Sequence, residues 1–526
     1  MSLQAHGTFL HDPELFSESS AHLKMNCEER RVSFGADGKK HPSESDAFIS
    51  KGIQRNTSRS SFREIRAAVV ANLAVIHLGL MFSFSAMTLP EMKAADSILR
   101  INDDQASWIA SIASLATPPG CLFGAYLMDQ RGRKYALVFL SVPCVLGWLS
   151  VGFAGLATSH VSNDLTLYII YCGRMLQGFG TGIAAGSARV YTSETSTPYR
   201  RGTLTSLASL AISLGVLIGY SLGALFYWPY VAFLSAGIPL SAVFLQIIFL
   251  PETPTWYLTQ KRRNEARAAL QWVRDPESSA QEIDQELAHL GGVTDDAGPT
   301  SKWAELKQPS ALKPLALVTF FFYTYQFSGI AVLTFYNVQI IESTGAQVDA
   351  DQAAVGFAVL RLFCNVIGCY LMTICDRRTM TIASGVASGA AVLSLATHNY
   401  LNTIAVASDD WLWRHLPIFC LVSFYISYSL GYLLIPWVLT GEIYPARIRG
   451  LLGGITVCFA HSLLFAAVKS FPFLLENLGF HGTFWFYGCN VAVGSVILFI
   501  LLPETRGRTL LQIESYFKKA RSNGVY

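Results

Sequence analysis

Long uncharged segments alternate with short polar ones along most of the chain. Seven segments contain no Asp, Glu, Lys or Arg: residues 67–90, 105–128, 135–163, 314–341, 379–408, 415–440 and 477–503. Residues 203–250 form a longer uncharged run, with room for two helices around a turn at Tyr227-Trp228-Pro229. Because a helix that spans a membrane needs about 20 apolar residues, each of these segments predicts at least one transmembrane helix.

Three further apolar segments carry only one or two internal charges: residues 165–191, 352–374 and 450–472. With them, the pattern predicts an all-α membrane protein with twelve transmembrane helices, which we call spans 1 to 12 in chain order. The predicted bounds are 67–90, 106–128, 134–157, 165–191, 203–225, 229–250, 314–338, 352–374, 379–398, 415–440, 450–472 and 481–502.

The distribution of basic residues predicts the orientation of these spans. Of the 39 Lys and Arg residues, four lie inside spans, three lie in loops of one parity, and the other 32 lie in the two tails and the loops of opposite parity. Lys and Arg concentrate on the cytoplasmic side of membrane proteins. We therefore expect both termini and the loop after span 6 to be cytoplasmic.

This topology divides the chain into five parts. Residues 1–65 are rich in Ser and Thr, and we expect a disordered cytoplasmic tail with no apolar signal peptide. Six-helix bundles at 66–250 and 314–502 flank a cytoplasmic loop at 251–313, in which surface helices are predicted. Residues 503–526 form a cytoplasmic C-terminal tail.

Composition excludes several classes of protein. Hydrophobic residues make up 52% of the 526 residues and charged residues only 14%, while soluble domains have about 25% charged residues. The net charge of +3 does not favour a nucleic-acid partner. Since the chain has no Walker A loop and its polar segments hold no metal-ligand cluster, we expect no nucleotide, metal or other cofactor, and no enzymatic activity.

Three charged motifs at span ends occur twice in the same order. Glu194 with Arg201-Gly202 recurs 248 residues later as Glu442 with Arg449-Gly450. Pro251-Glu252-Thr253 recurs 252 residues later as Pro503-Glu504-Thr505. The basic turn that begins at Asp129 recurs 247 residues later at Asp376. Three pairs at one offset indicate two homologous six-helix halves. This repeat is typical of carriers that work by alternating access, with a solute site near the membrane midplane.

The repeated charges have a mechanical interpretation. Each carboxylate at a helix end can pair with an arginine of a neighbouring helix and latch the cytoplasmic side while the central cavity opens outward. The predicted latch residues are Asp129, Arg133, Glu194, Arg201, Glu252, Asp376, Glu442, Arg449 and Glu504. The alternative is ordinary snorkelling of charged side chains at helix ends, which accounts for single charges but not for their repetition.

These motifs resemble the sugar porter family of the major facilitator superfamily. The matching stretches include Asp129-Gln130-Arg131-Gly132-Arg133-Lys134, Gln326-Phe327-Ser328-Gly329-Ile330, Ile435-Pro436-Trp437 and Gly441-Glu442-Ile443-Tyr444-Pro445. The resemblance covers about residues 67–515 and implies a carrier with two six-helix bundles. Arg189-Val190-Tyr191-Thr192-Ser193-Glu194 and Thr255-Trp256-Tyr257-Leu258 resemble the insect facilitated trehalose transporter branch, which is similar to class III glucose transporters.

A neutral sugar needs a few hydroxyl or amide side chains and an aromatic surface inside an apolar cavity. Span 7 offers such groups around Gly329, where we expect the helix to break, and span 10 offers a tryptophan after a proline. The predicted substrate-binding residues are Gln326, Trp437, Tyr325, Tyr336, Asn337, Ser209 and Arg361. Gln326 and Trp437 match sugar-contacting positions by resemblance; a role in helix contact or at the membrane interface is the alternative.

The chain departs from the family pattern at several site positions. Ser209, Tyr325 and Ala331 replace amide residues, and Ala460-His461 replaces an Asn-Trp pair, which puts ordinary glucose selectivity in doubt. Arg361 replaces a frequent Asn and is either a solute ligand or a partner of a backbone carbonyl. Arg189 replaces a proline, and we expect it to join the cytoplasmic charge network.

We predict transport of trehalose or a hexose-like neutral sugar by facilitated diffusion across the plasma membrane, with an endosomal or lysosomal membrane as the alternative location. Proton-driven sugar porters commonly place an Asp in span 1, where this chain has Ser85 by resemblance, and residues 67–90 contain no acid. His77 and His461 are the titratable substitutes near neutral pH. Proton-coupled transport of a sugar or polyol, and a nutrient sensor on a transporter fold, remain the alternatives.

Overall fold

The structure is a computed structural model that describes residues 57–94, 97, 99–197, 200–274, 279–295, 305–345, 348–404, 410–445, 448–506 and 510–519. Residues 62–526 form one compact unit. Of the other unit, residues 1–61, the structure describes 57–61, which are helical. Most of the tail predicted to be disordered, and the last residues of the C-terminal tail, lie outside the described residues.

The N-terminal half, residues 62–250, is built from apolar helices. They are α1 Thr57–Leu73, α2 Ile76–Lys93, α3 Asp103–Arg131, α4 Arg133–Phe139, α5 Ser141–Ala157, α6 Asn163–Thr195, α7 Arg201–Leu225 and α8 Trp228–Phe249. Asn102 caps α3, because its side chain accepts from the Gln105 backbone N–H at 2.8 Å and the Gln105 side chain accepts from the Asn102 backbone N–H. The predicted turn at Tyr227-Trp228-Pro229 separates α7 from α8.

The chain between the halves contains the helices predicted there. They are α9 Pro254–Thr259, α10 Arg263–Val273 and α11 Ala280–Asp295. Their side chains also anchor the start of α1, because the buried Glu64 carboxylate pairs with Arg274 at 2.6 Å and Arg274 pairs with Glu286 at 2.7 Å. Residues 57–65 are helical, although they were predicted to belong to the disordered tail. The pairing of Glu64 was not visible in the local sequence, because its partner lies about 200 residues away.

The C-terminal half, residues 309–502, repeats the arrangement. Its helices are α12 Pro309–Gln326, α13 Ile330–Phe335, α14 Asn337–Ser343, α15 Ala350–Ile374, α16 Arg377–Thr403, α17 Trp411–Leu430, α18 Ile435–Glu442 and α19 Arg449–Leu501, and α20 Leu510–Lys519 follows. Gly479, at φ 67°, divides the 53 residues of α19 into the two predicted spans 11 and 12. Only glycine adopts such a positive φ without strain.

Every one of the twelve predicted spans lies on helix in the structure. Nine helical segments of the described chain are long and apolar enough to cross a membrane, and the last of them, Arg449–Leu501, covers two predicted spans. Span 4 falls short because it is rich in polar residues, and span 7 because it is divided among short helices. The all-α membrane fold is thus confirmed.

The two halves meet through equivalent helices. Span 2 packs on span 11, through α3 and α19, and span 5 packs on span 8, through α7 and α15. Span 8 is the counterpart of span 2 in the other half, and span 11 is the counterpart of span 5. The two contacts are therefore equivalent, as a pseudo-twofold relation between the halves requires. Within the N-terminal half, spans 2 and 4 touch at Gly178, where a Cβ atom would lie 1.9 Å from the Ala113 backbone oxygen.

Candidate functional site

Span 7 breaks where the sequence predicts. α12 ends at Gln326, and α13 begins after Gly329, which adopts φ 95°. This left-handed backbone conformation suits glycine and ends the helical hydrogen-bond pattern near mid-depth. The break holds Tyr325 and Gln326 at the end of one helix and places Tyr336 and Asn337 beyond the next.

Span 10 breaks at a similar depth. α17 ends at Leu430, and α18 begins at Ile435 with Pro436 in its first turn. The Trp437 ring packs edge-on against Phe322 of span 7, with ring centroids 4.8 Å apart. Tyr325 lies on the same helix as Phe322, and its hydroxyl interacts with Trp437. The two broken helices therefore bring the predicted residues Tyr325 and Trp437 together.

Gln326 lies against span 11. Its Nε2 atom donates to the Ala460 backbone oxygen at 3.2 Å, and only 4% of the residue is exposed. This contact matches the helix-contact alternative. Gln326 follows Tyr325 in the chain, and its partner Ala460 precedes His461, whose ring centroid lies 6.2 Å from that of Trp437. A solute ligand role for Gln326 stays a prediction.

Arg361 of α15 projects into the same region and is 6% exposed. Its Nη1 atom donates to the Thr334 hydroxyl at 3.3 Å, whereas its Nε atom has no hydrogen-bond partner among the described residues. Four tyrosines interact electrostatically with its charge: Tyr220, Tyr325, Tyr425 and Tyr428. The buried guanidinium thus faces hydroxyl groups instead of a carboxylate.

Arg189 does not join the cytoplasmic charge network, contrary to the prediction. Its guanidinium carbon lies 4.3 Å from the centroid of the Trp437 ring, a cation–π contact from span 4 to span 10. Glu194, five residues further along α6, pairs with Arg133 instead. Sequence reasoning left Arg189 out of the candidate site because the half that supplies Trp437 is distant in the chain.

The remaining predicted site residues lie at the edge of this region. The Tyr336 hydroxyl donates to the Val468 backbone oxygen at 3.4 Å, so its ring packs on span 11. Asn337 is fully buried beside the Tyr220 hydroxyl, and neither of its amide atoms has a hydrogen bond of standard geometry in the described chain. The Ser209 backbone oxygen accepts from Asn365 Nδ2 at 3.1 Å, across the contact of spans 5 and 8.

The repeated motifs form a network at one end of the N-terminal half, which we call the latch end. The Arg133 guanidinium pairs with Glu194 at 3.0 Å and donates to the Met128 backbone oxygen at 3.0 Å. Glu194 also accepts from the Thr253 hydroxyl at 2.7 Å. Glu252 accepts from the backbone N–H groups of Arg133 and its neighbour Lys134.

The C-terminal half builds the same network from the second copy of the motifs. Arg377 pairs with Glu442 at 3.2 Å and donates to the Met372 backbone oxygen, and Glu442 accepts from the Thr505 hydroxyl at 2.7 Å. Glu504 accepts from the backbone N–H groups that follow Asp376. Arg377 was missing from the predicted set, and the structure gives it the same kinds of partners that Arg133 has in the first half.

Four predicted latch residues lie at the margin of these networks. Asp129 is 3.9 Å from Arg133, and Asp376 is 3.5 Å from Arg506. Arg201 and Arg449 are near enough for their like charges to repel each other, and Arg449 Nε and Nη2 have no hydrogen-bond partner among the described residues. The carboxylates of the latch end therefore bind within their own half, and the arginines of the two halves face each other.

The equivalent glutamates of the two networks differ in acidity. Burial raises the pKa of Glu252 above its usual value, against the opposing effect of backbone N–H groups of Thr253, Arg133 and Lys134. Burial acts on Glu504 in the same direction, but the backbone N–H groups of Arg506 and the residues after Asp376 outweigh it and lower the pKa.

The halves are joined from mid-depth to the opposite end, which we call the outer end. There, Lys469 of span 11 pairs with Asp104 of span 2 at 2.7 Å, donates to Ser107 and lies 4.3 Å above the Trp108 ring. The partner of Lys469 lies in the other half of the chain and was not visible in the local sequence. These contacts close the outer end.

The comparisons with known proteins agree with this architecture. The family model described as "Sugar (and other) transporter" matches residues 67–517. A facilitated trehalose transporter Tret1-2 homolog of Drosophila simulans is 30% identical over 89% of this chain and 94% of its own length. A facilitated trehalose transporter Tret1 of Culex quinquefasciatus is 31% identical over 87% of this chain and 86% of its own length.

Solved structures show the same fold. The proton:xylose symporter XylE bound to 6-bromo-6-deoxy-D-glucose has a TM-score of 0.71 at 19% identity, over 87% of this chain and all of its own. The partially occluded inward-open form of the xylose transporter XylE from E. coli has a TM-score of 0.69 at 17% identity, over 85% of this chain and 99% of its own. Both are carriers of the major facilitator superfamily by fold. Because the family model spans most of the chain and two relatives reach 30% identity along nearly their whole lengths, this protein belongs to the sugar (and other) transporter family.

Proposed function

We propose that this protein moves a sugar across a membrane, the plasma membrane in particular, by facilitated diffusion through alternating access. The observation that carries the proposal is the contact between the halves at the two helix breaks. Arg189 of the N-terminal half covers Trp437 of the C-terminal half, next to Tyr325. A solute bound there touches both halves, so their relative movement can expose it to one side and then the other.

The relatives' names support trehalose or a hexose-like sugar as the solute. Trp437 supplies an aromatic face for a pyranose ring, and Tyr325 and Gln326 supply groups that bond hydroxyls. Loss of either the Trp437 indole or the Gln326 amide removes one contact of about 1–3 kcal/mol. The buried networks of the latch end keep each half rigid while the halves move.

The surroundings of the buried histidine in span 1 favour uniport over proton coupling. The Trp148 indole N–H donates to His77 Nδ1 at 2.9 Å, so that nitrogen is unprotonated, and His77 Nε2 lies 3.3 Å from the Gln177 backbone oxygen. Both ring nitrogens of the neutral imidazole thus have partners, and a second proton would meet the indole N–H. Ser85, in place of an acid, accepts from Arg174, whose guanidinium also bonds Gln177.

The test is transport by the purified protein in vesicles. We expect labelled trehalose or glucose to equilibrate without accumulating, with or without an imposed pH gradient. Gln326→Ala should reduce the initial rate, whereas Gln271→Ala on the exposed side of α10 should not. Accumulation that collapses with a protonophore would refute uniport, and no flux of any sugar from correctly folded protein would refute the carrier.

A further inference from the structure

Two positive charges lie at the candidate site without a carboxylate partner. The ion pairs of the described residues include neither Arg189 nor Arg361. The sequence offers no acid at this depth either, because residues 165–193, 314–341, 352–374 and 415–441 contain no Asp or Glu. Arg361 is buried and Arg189 is half-buried. A guanidinium removed from water without an anion is costly, and such groups are normally paired.

The two charges converge on one side chain. Tyr325 interacts electrostatically with Arg361 of span 8 and with Arg189 of span 4. Arg189 is also close to Cys121 and His461, and its guanidinium covers the Trp437 ring. Thiol, imidazole and indole groups thus lie around Arg189, Tyr325 is shared with Arg361, and none of these neighbours is a carboxylate.

Hydrogen-bond capacity at these arginines is left over as well. Arg361 donates to the Thr334 hydroxyl, while its buried Nε has no partner among the described residues. The Arg189 guanidinium makes a cation–π contact with Trp437 and has no hydrogen bond among the described residues. Guanidinium groups match carboxylate and phosphate oxygens through paired N–H donors. A neutral sugar alone leaves this charge uncompensated.

We propose that the central site binds a sugar that carries an oxyanion, a carboxylate or a phosphate, between Arg189 and Arg361, with its ring against Trp437. This inference rests on the proposed carrier function and replaces a neutral solute with an anionic one. Binding of the anion supplies the counter-charge that the protein lacks, so affinity for the charged sugar exceeds that for its neutral analogue.

The test compares glucose and glucuronate, which differ at C6 in charge, together with glucose 6-phosphate as the phosphate arm. Equilibrium binding to the purified protein, followed by tryptophan fluorescence, should show a Kd for glucuronate or glucose 6-phosphate at least tenfold below that for glucose. Whichever of the two anions binds with the lower Kd identifies the oxyanion as a carboxylate or a phosphate. Equal or weaker binding of both anions relative to glucose would overturn the proposal.

Variants locate the effect. Arg361→Gln and the half-buried Arg189→Gln should each remove the preference for the anion, and Arg361→Lys, which keeps the charge and loses the paired donors, should keep part of it. Lys93→Gln is the matched control, since it removes a cation whose partner Asp103 lies in the same half, and it should leave the preference intact. A preference that survives both glutamine variants would overturn the assignment.

Transport separates this inference from the carrier function. If the carrier moves the anion, an imposed membrane potential should change the rate of glucuronate uptake and leave that of glucose unchanged. Selective binding of glucuronate without any flux would refute the carrier and keep the site. Robust glucose flux that glucuronate and glucose 6-phosphate do not inhibit would keep the carrier and refute the anionic site.

Discussion

Lys469 joins the halves at the outer end. Its replacement should shift the equilibrium of the carrier between the state in which the outer end is closed and the state in which it is open. The Lys469→Gln change removes the ion pair to Asp104 and the cation–π contact with Trp108, both of which link span 11 to span 2. Neither contact can survive when the outer end opens. The substitution therefore destabilises the outside-closed state and leaves the open state unaffected.

The magnitude follows from exposure. The Lys469 side chain is 24% exposed and that of Asp104 74%, so the ion pair contributes about 0.2–1 kcal/mol. A cation–π contact at such a site adds about 0.5–1 kcal/mol. Together the loss is about 1–2 kcal/mol, which raises the population of the open state about 5- to 30-fold.

The assay measures access to a buried position on the same face of span 2. Ser111, one turn beyond Ser107, is fully buried, and Ser111→Cys preserves its size. In sealed vesicles, an impermeant thiol reagent added on the outer side should label this cysteine 5 to 30 times faster in the Lys469→Gln background.

The chain provides a matched control in Lys93→Gln. Lys93 pairs with Asp103 at 2.5 Å with similar exposure, but both residues belong to the N-terminal half, so the pair does not change when the halves separate. Unchanged labelling in Lys469→Gln, or the same acceleration in Lys93→Gln, would refute the reasoning.

Three further predictions follow from the site, the latch end and the topology. Trp437→Ala should lower transport by the equivalent of about 1–3 kcal/mol without preventing insertion, measured as initial uptake per folded protein; normal kinetics would place the site elsewhere. Glu504→Gln should lower thermal stability at pH 7, and this loss of stability should shrink on acidification, because a lowered pKa stabilises the protein only above the pKa of the unfolded chain. Glu252→Gln should show a loss of stability that grows toward pH 4, because the raised pKa of Glu252 stabilises the protein only at low pH. In sealed cells, a cysteine in place of Gln285 should not react with impermeant thiol reagents. Labelling of this cysteine from outside would refute the prediction that the loop after span 6 is cytoplasmic.

Features encoded in local sequence were predictable. Uncharged segments of about 20 residues locate the helices because the bilayer sets their length. The break at Gly329 was predictable because a glycine inside a motif of span 7 is a plausible helix end. The positions of the latch carboxylates followed from the repeat, since both copies fold into the same local network.

Features that depend on the other half were not predictable. The contact of Arg189 with Trp437 joins residues about 250 positions apart, and nothing near Arg189 in the chain signals an aromatic partner. The same holds for Glu64, whose partner Arg274 lies beyond six spans. Charges inside an apolar segment can be recognised from sequence, but the choice of partner requires the packing of the halves.

The repeat itself shows how two copies of one network come to differ. Glu252 and Glu504 both accept backbone N–H groups of the basic turn in their half, so duplication preserved the geometry. Glu252 lies deeper, and the desolvation of its carboxylate outweighs those hydrogen bonds, whereas at Glu504 the bonds prevail. The Arg133 pair is likewise less exposed than the Arg377 pair. Breaking a buried pair costs more than breaking an exposed one, so the pair of Arg133 with Glu194 should cost more to break than that of Arg377 with Glu442.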